Sequence, residues 1–261
     1  MDKTSIIGII LGIIAVGVGM VLKGVHLAAL INPAAILIIF VGTAASVCIA
    51  FPISTIKKVP SLLKIVFSDD QQTDYQEVVL MFTKLADQTR KEGILSLEKQ
   101  LRETRDPFLR SGLQFVVDGQ SPEFIREVML EKIDAMEERH QEGIAVFSQA
   151  GTYAPTLGVL GAVIGLIAAL GDMQDMEVLG HAISAAFMAT LMGIFSGYVL
   201  WHPFANKLRE KSRREVRMKE IMVEGLLSIT AGNSAMIVKD KLGSYLSTKE
   251  FNALKGEEED A

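Results

Sequence analysis

Four runs of this 261-residue chain contain no Asp, Glu, Lys or Arg: Ser5–Leu22, Pro33–Phe51, Val146–Leu170 and Ala182–Trp201, the last with His181 at its edge. The scarcity is local, because 22% of the whole chain is charged. A helix needs a run of about 18–20 mostly apolar residues to cross a bilayer. The pattern therefore predicts four transmembrane helices and excludes an ordinary soluble domain. The same absence excludes something narrower. A protein that moves protons or cations through its own spans usually carries an ionisable group inside them. No Asp, Glu, Lys or Arg lies in any of the four runs, so either the chain moves no ions or a second chain supplies the charged group.

Cysteine is nearly absent too. Cys48, within the second run, is the only one, so the chain can form neither an intrachain disulfide nor a cysteine-built zinc site. It reads as a small packing residue. No basic stripe with interleaved aromatics appears, and the net charge is −5; nucleic acid is not an expected partner. There is no internal repeat and no strand-like alternation of useful length. The first apolar run is longer than a signal peptide's roughly 7–15 residue core and no small-x-small cleavage site follows, so it is counted as a span.

What is present is organised by charge. Of the 26 Lys and Arg residues, 13 lie in Pro52–Gly143 and 11 in His202–Ala261, whereas Gly171–Gly180 has none. The bias of basic residues places both termini and both charged segments in the cytoplasm. The expected architecture is all-α: a polytopic membrane protein with four transmembrane helices and a helical cytoplasmic domain. Residues 1–51 hold the first two spans, 52–145 a cytoplasmic helical domain, 146–201 the last two spans, and 202–261 a cytoplasmic helical tail with a disordered acidic end, "KGEEEDA".

Within the insert, Val78, Val79, Phe82, Leu85 and Ala86 recur at helical spacing on one face, with charges on the other. Gly93 interrupts the pattern before Leu95, Leu97 and Leu101 resume it. Ser121 suits an N-cap and Pro122 a first helical position. From there only Gly143 could break a helix running into the third span. The basic cluster Lys207–Lys219 suits a membrane edge lined with anionic headgroups, which makes membrane lipids expected partners.

The third run is unusual for a span. Ser148, Thr152 and Thr156 share one helical face, and Pro155 removes a backbone hydrogen bond that leaves the carbonyl near Gly151 free. Thr190 lies on the small-residue face of the fourth run, with Ala186, Gly193 and Gly197. Gly8 and Gly12, Gly161 and Gly165, and Gly193 and Gly197 form GxxxG pairs, which allow close helix approach. Free carbonyls and hydroxyls at membrane depth fit a cavity wall or a protein contact. A local kink, with each Thr bonded to its own backbone, accounts for the same spacing.

Several stretches carry a resemblance over nearly the whole chain: "NPAAILIIFVGT", "ADQTRKEGILSLE", "VDGQSPEFIREVM", "MEERHQEG", "GTYAPTLGVLGAVIGLIAAL" and "GHAISAAFMATLMGIFSGYVLWHPFANKL". They are similar to the MotA-type stator subunits of the flagellar motor, in the MotA/TolQ/ExbB proton channel family. Four spans with a long second cytoplasmic loop fit that branch rather than the three-span transport energisers. The resemblance implies a multi-pass protein of the bacterial inner membrane, without enzymatic activity, cofactor or metal. It implies a pentamer around a MotB-like B subunit that carries the membrane aspartate, and contact with the rotor switch protein FliG. By motif it assigns Pro155, Thr156 and Thr190 to the ion pathway, Arg90 and Glu98 to the rotor contact, and Pro203 to conformational coupling. Proton coupling is expected; a sodium-driven stator or a TonB/Tol-type energiser are the alternatives.

Overall fold

A computed structural model describes residues 2–69, 74–171 and 176–259, with the last side chain at Leu254. Among the described residues every regular element is helical. Four helices are long and apolar enough to span a membrane: α1 (Lys3–Leu22), α2 (Pro33–Ala50), α8 (Pro122–Leu170) and α9 (Met176–Thr230). Between α2 and α8 lie α3 (Ile53–Ile56), α4 (Val59–Phe67), α5 (Tyr75–Glu92), α6 (Leu97–Glu103) and α7 (Pro107–Val117). After α9 come α10 (Ala235–Gly243) and α11 (Thr248–Glu259). The α11 backbone runs through Glu257 and Glu258 to Glu259; glutamate is a good helix former. Asp260 and Ala261 lie outside the described residues.

The chain divides into two compact units, Met1–Asp69 with His140–Glu210, and Asp70–Arg139 with Lys211–Ala261. Residues 52–69 and 140–145, expected with the cytoplasmic domain, and 202–210, expected with the tail, cluster by contact with the unit of the spans. The expected helix from the insert into the third span is present as one element of 49 residues. Ser121 caps it by accepting the Phe124 N–H at 3.2 Å. Gly143, the one candidate break, is helical; a Cβ there would lie 2.8 Å from Leu62 Cδ1, so glycine serves close approach of α4.

The first unit is pinned where the spans end. Phe204 meets Phe67, Phe147 and Trp201 edge-on, with the Phe67 ring 5.5 Å away. Val66, Ile144 and Leu208 complete this core, with Leu62 and Ile9 beside it. The N-terminus of α1 is clamped to the same place. The Asp2 N–H donates to the Phe67 carbonyl at 2.9 Å, and the Asp2 carboxylate accepts from the Thr4 and Ser5 N–H groups and pairs with Lys207. Hydrogen bonds from Lys207 and Thr4 hold its pKa well below the ordinary carboxylate range. A depressed carboxyl pKa stabilises the fold above the unfolded value and loses that contribution as pH falls below it. In thermal melts of the solubilised complex, Asp2→Asn should therefore lower the midpoint at pH 7; the gap from wild type should begin to narrow below about pH 4 and vanish only as pH falls through the depressed folded pKa. Asn keeps the helix cap, so the comparison isolates the ion pair.

The second unit has its own core. All five apolar-face residues expected on α5 are buried. They meet Leu113, Ile125, Met129, Ile221, Leu226 and Leu242 in one cluster. Gly225 of α9 lies flat on the Phe82 ring: a Cβ there would be 2.5 Å from Phe82 Cδ1. Glu224 next to it is clasped by Arg126 at 3.0 Å and Lys241 at 2.6 Å. Part of the basic cluster expected to face headgroups is used inside this unit. Lys219 sits over the Phe108 ring at 4.7 Å and pairs with Glu215 at 3.6 Å, and Arg217 donates to the Tyr245 carbonyl.

Candidate functional site

The third and fourth spans meet backbone to backbone. Cβ atoms built on their glycines show how close the approach is. At Gly158 a Cβ would stand 2.9 Å from the Gly193 Cα, and at Gly193 2.7 Å from the Ala154 carbonyl oxygen. At Gly197 it would stand 2.7 Å from Pro155 Cγ, and at Gly151 2.7 Å from the His202 ring. Looser contacts follow, Gly161 to Ala189 at 3.6 Å and Gly165 to Ala186 at 3.9 Å. As the numbers rise on α8 they fall on α9, so the pair is antiparallel. The Gly193/Gly197 motif is thus consumed within the chain. The residues that sequence reasoning missed are Gly151, Gly158 and His202. A signal for two of them was present: Gly151, Gly158 and Gly165 recur every seven residues, which returns to one helix face.

Pro155 sits inside this seam. Its missing N–H leaves the Gly151 carbonyl without an i+4 donor. That oxygen was expected to be free for a pathway. It instead faces Gly197, 2.8 Å from where a Cβ would stand, as in a Cα–H···O contact. Only glycine at 197 permits it.

The hydroxyls are placed differently. Thr152 and Thr156 are exposed in the isolated chain, and Thr190 is half-buried. Each bonds to its own backbone: Thr152 to the Ser148 carbonyl at 3.2 Å, Thr156 to the Thr152 carbonyl and Thr190 to the Ala186 carbonyl, both at 3.3 Å. The local-kink reading therefore describes their resting bonds. These are longer than the usual O–H···O distance, so each hydroxyl can turn to another partner at little cost. Along α8 the exposed face passes from Thr152 and Thr156 to Val159 and Val163. The spacing of i, i+4, i+7 and i+11 makes this one stripe, hydroxylic at one end and apolar at the other.

Two stretches of the spans are π-helical, Leu37–Val41 in α2 and Ser196–Trp201 in α9. In the second, the His202 N–H reaches back five residues to the Gly197 carbonyl. Pro203 follows directly and is exposed. Proline has no N–H to give the residue four back, so the widened turn lies where the regular ladder must lapse. π-segments of this kind recur at functional sites.

Arg90 and Glu98 do not share a helix. The chain breaks between them: α5 ends at Glu92, Gly93 adopts φ 85°, and a 3-10 turn precedes α6. Glycine takes that positive φ without strain. Glu98 pairs with Arg102 at 3.5 Å in solvent, a contact of little energetic weight. Arg90 is exposed at the end of α5.

Residues 100–221 match the MotA/TolQ/ExbB proton channel family, and residues 6–93 match the Motility protein A N-terminal family. The chain is 58% identical over 250 residues to Motility protein A of Bacillus subtilis, covering 96% of this chain and 93% of that protein. This chain belongs to the MotA/TolQ/ExbB proton channel family. Within the family, the structure of the flagellar MotAB stator complex from Bacillus subtilis superposes with a TM-score of 0.91, covering 95% of this chain and 98% of that one. The C. jejuni MotAB structure superposes at 0.90 with 29% identity, over 95% and 97% of the two chains. The four spans and the all-helical fold are those of a MotA-type member.

Proposed function

We infer that this chain is a stator subunit of the bacterial flagellar motor, which forms with a MotB-type subunit a proton channel that turns ion flow into torque. The observation that carries the reading is the superposition on the flagellar MotAB stator across 95% of the chain. It also accounts for charge-free runs without a single carboxylate: the partner brings it. The chain itself then does no covalent chemistry and needs no cofactor or metal.

The residues divide the work as follows. A charged carboxylate at membrane depth requires hydrogen-bond donors. The hydroxyls of Thr156 and Thr190 leave their long backbone bonds to supply them, and the apolar part of the α8 stripe receives the rest of the partner helix. Pro155 fixes the seam against which they work, and Pro203 with its π-segment passes the change along α9. Five copies surround the B subunits, with both termini cytoplasmic. Arg90 and Glu98, on two short helices, meet FliG as separate charges whose effect is on association and specificity.

Deleting the gene should leave cells flagellated but paralysed. Normal swimming in a strain without a second stator set would overturn the assignment, and a defect confined to nutrient uptake or the envelope would favour a TonB/Tol-type energiser. Thr190→Val should lower rotation speed roughly tenfold, as expected for one lost hydrogen bond to a charged group, while the complex still assembles on pull-down. Full speed in that variant would remove Thr190 from the pathway.

A further inference from the structure

We propose that Lys3, Lys57 and Lys64 form a docking site for the headgroups of anionic phospholipids at the edge of the span unit. Three observations converge on it. The first is level. Helix α4 packs through Leu62 and Val66 against Ile144, Phe147, Phe204 and Leu208, where the charge-free runs of α8 and α9 begin and end. Its last residue, Phe67, holds the first residue of the α1 cap through the Asp2 N–H. The segment therefore lies at the membrane–water boundary, where aromatic side chains such as Trp201 collect.

The second is charge. From Pro52 to Ser68 the chain has three lysines and no acidic residue. Two cations at this level are already used: Lys58 pairs with Glu142 at 3.4 Å and Lys207 with Asp2. Lys3, Lys57 and Lys64 are exposed, and no ion pair to them occurs among the described residues. The third is the apolar surface beside them. Ile53 is 68% exposed and Ile65 43%, whereas Val66 is fully buried. Helix α4 turns Ile65 and Lys64 outward together while Val66 is packed, and Ile53 and Lys57 extend the exposed surface from α3 and its end; such a surface suits the headgroup–acyl boundary and not open water. The basic cluster in α9 is a weaker candidate, because Arg217 and Lys219 are engaged inside the second unit. The inference takes from the proposed orientation only the choice of leaflet; the chemistry is the same in either.

The test uses the whole complex with its B subunit, in neutral detergent, titrated with fluorescent phosphatidylglycerol. A basic residue near an anionic surface contributes about a fivefold affinity factor, so Lys57→Gln with Lys64→Gln should weaken binding roughly 25-fold. Lys57→Arg with Lys64→Arg should keep it within about twofold. Wild-type binding should also weaken as salt rises. Gel filtration of each variant checks that the complex is intact. Unchanged binding in the Gln variant would overturn the proposal. So would equal binding of fluorescent phosphatidylcholine, and so would a Gln variant whose only change is in subunit number, which would make the lysines a contact between copies. None of these readouts requires rotation, so they stand or fall apart from the motor assignment.

Discussion

Gly193→Ala is expected to unseat the third span from the fourth. The added methyl would stand 2.7 Å from the Ala154 carbonyl oxygen and 2.8 Å from the Gly158 Cα. Both obstacles are backbone, so no side chain can swing aside. Only a shift of one helix relieves the contact, and that shift must also disturb Gly197 against Pro155 and Gly151 against His202. Overpacking of this kind costs about 1–3 kcal/mol and sometimes more. Thermal melting of the purified complex should show a large drop, and swimming should be lost with it. Gly8→Ala is the matched comparison. It too belongs to a GxxxG pair, but its Cβ meets nothing within 4 Å in the chain, so its melting midpoint should move far less. Equal losses in the two variants would mean that the glycines serve flexibility or contacts between copies, and not this seam.

Phe82→Ala is expected to open the second unit. Phe82 is fully buried, and its ring is the surface on which Gly225 lies. Removing a buried aromatic ring costs about 3–5 kcal/mol, part of it for the cavity left behind. A small helical unit has little more stability than that in total. Limited proteolysis of the full complex should therefore show cleavage within 74–139 and 211–254 under conditions in which the wild-type chain resists. Arg90 sits on the same helix as Phe82, so on the proposed rotor contact torque should fall even where the span unit remains membrane-inserted. Wild-type resistance to protease in this variant would show that the ring is not central to the core.

How far these sites could be read from the amino-acid order depended on their physics. The four spans were legible because charge is excluded from the bilayer over whole runs of residues. The buried face of α5 was legible because five apolar residues repeat at the helical period, and packing follows period. The break at Gly93 was visible as a glycine, but its consequence was not. A glycine can continue a helix, as Gly143 does, or end it, and tertiary packing decides which. Hence Arg90 and Glu98 fall on separate helices, while the long helix runs on through Gly143. The clamp of Asp2 on Lys207 was not legible, since nothing local links residues 205 positions apart. The same holds for the Gly151 carbonyl. The order of residues says that Pro155 frees an acceptor; only the neighbouring helix says what faces it.

The seam also explains where the fourth span must be wound wide. Along α8 the contact points Gly158, Pro155 and Gly151 are spaced by three and four residues; their partners on α9, Gly193, Gly197 and His202, are spaced by four and five. The five-residue step is the stretch that is wound as a π-turn. One surplus residue has been taken up there as a bulge. Had it entered a regular helix, everything beyond it would have turned by about 100° and His202 would have left Gly151. The bulge thus has the form of a tolerated insertion. Shortening the chain by one residue within Ser196–Trp201 would restore ordinary winding with both flanking contacts in phase, whereas the same deletion a turn earlier would rotate the seam out of register.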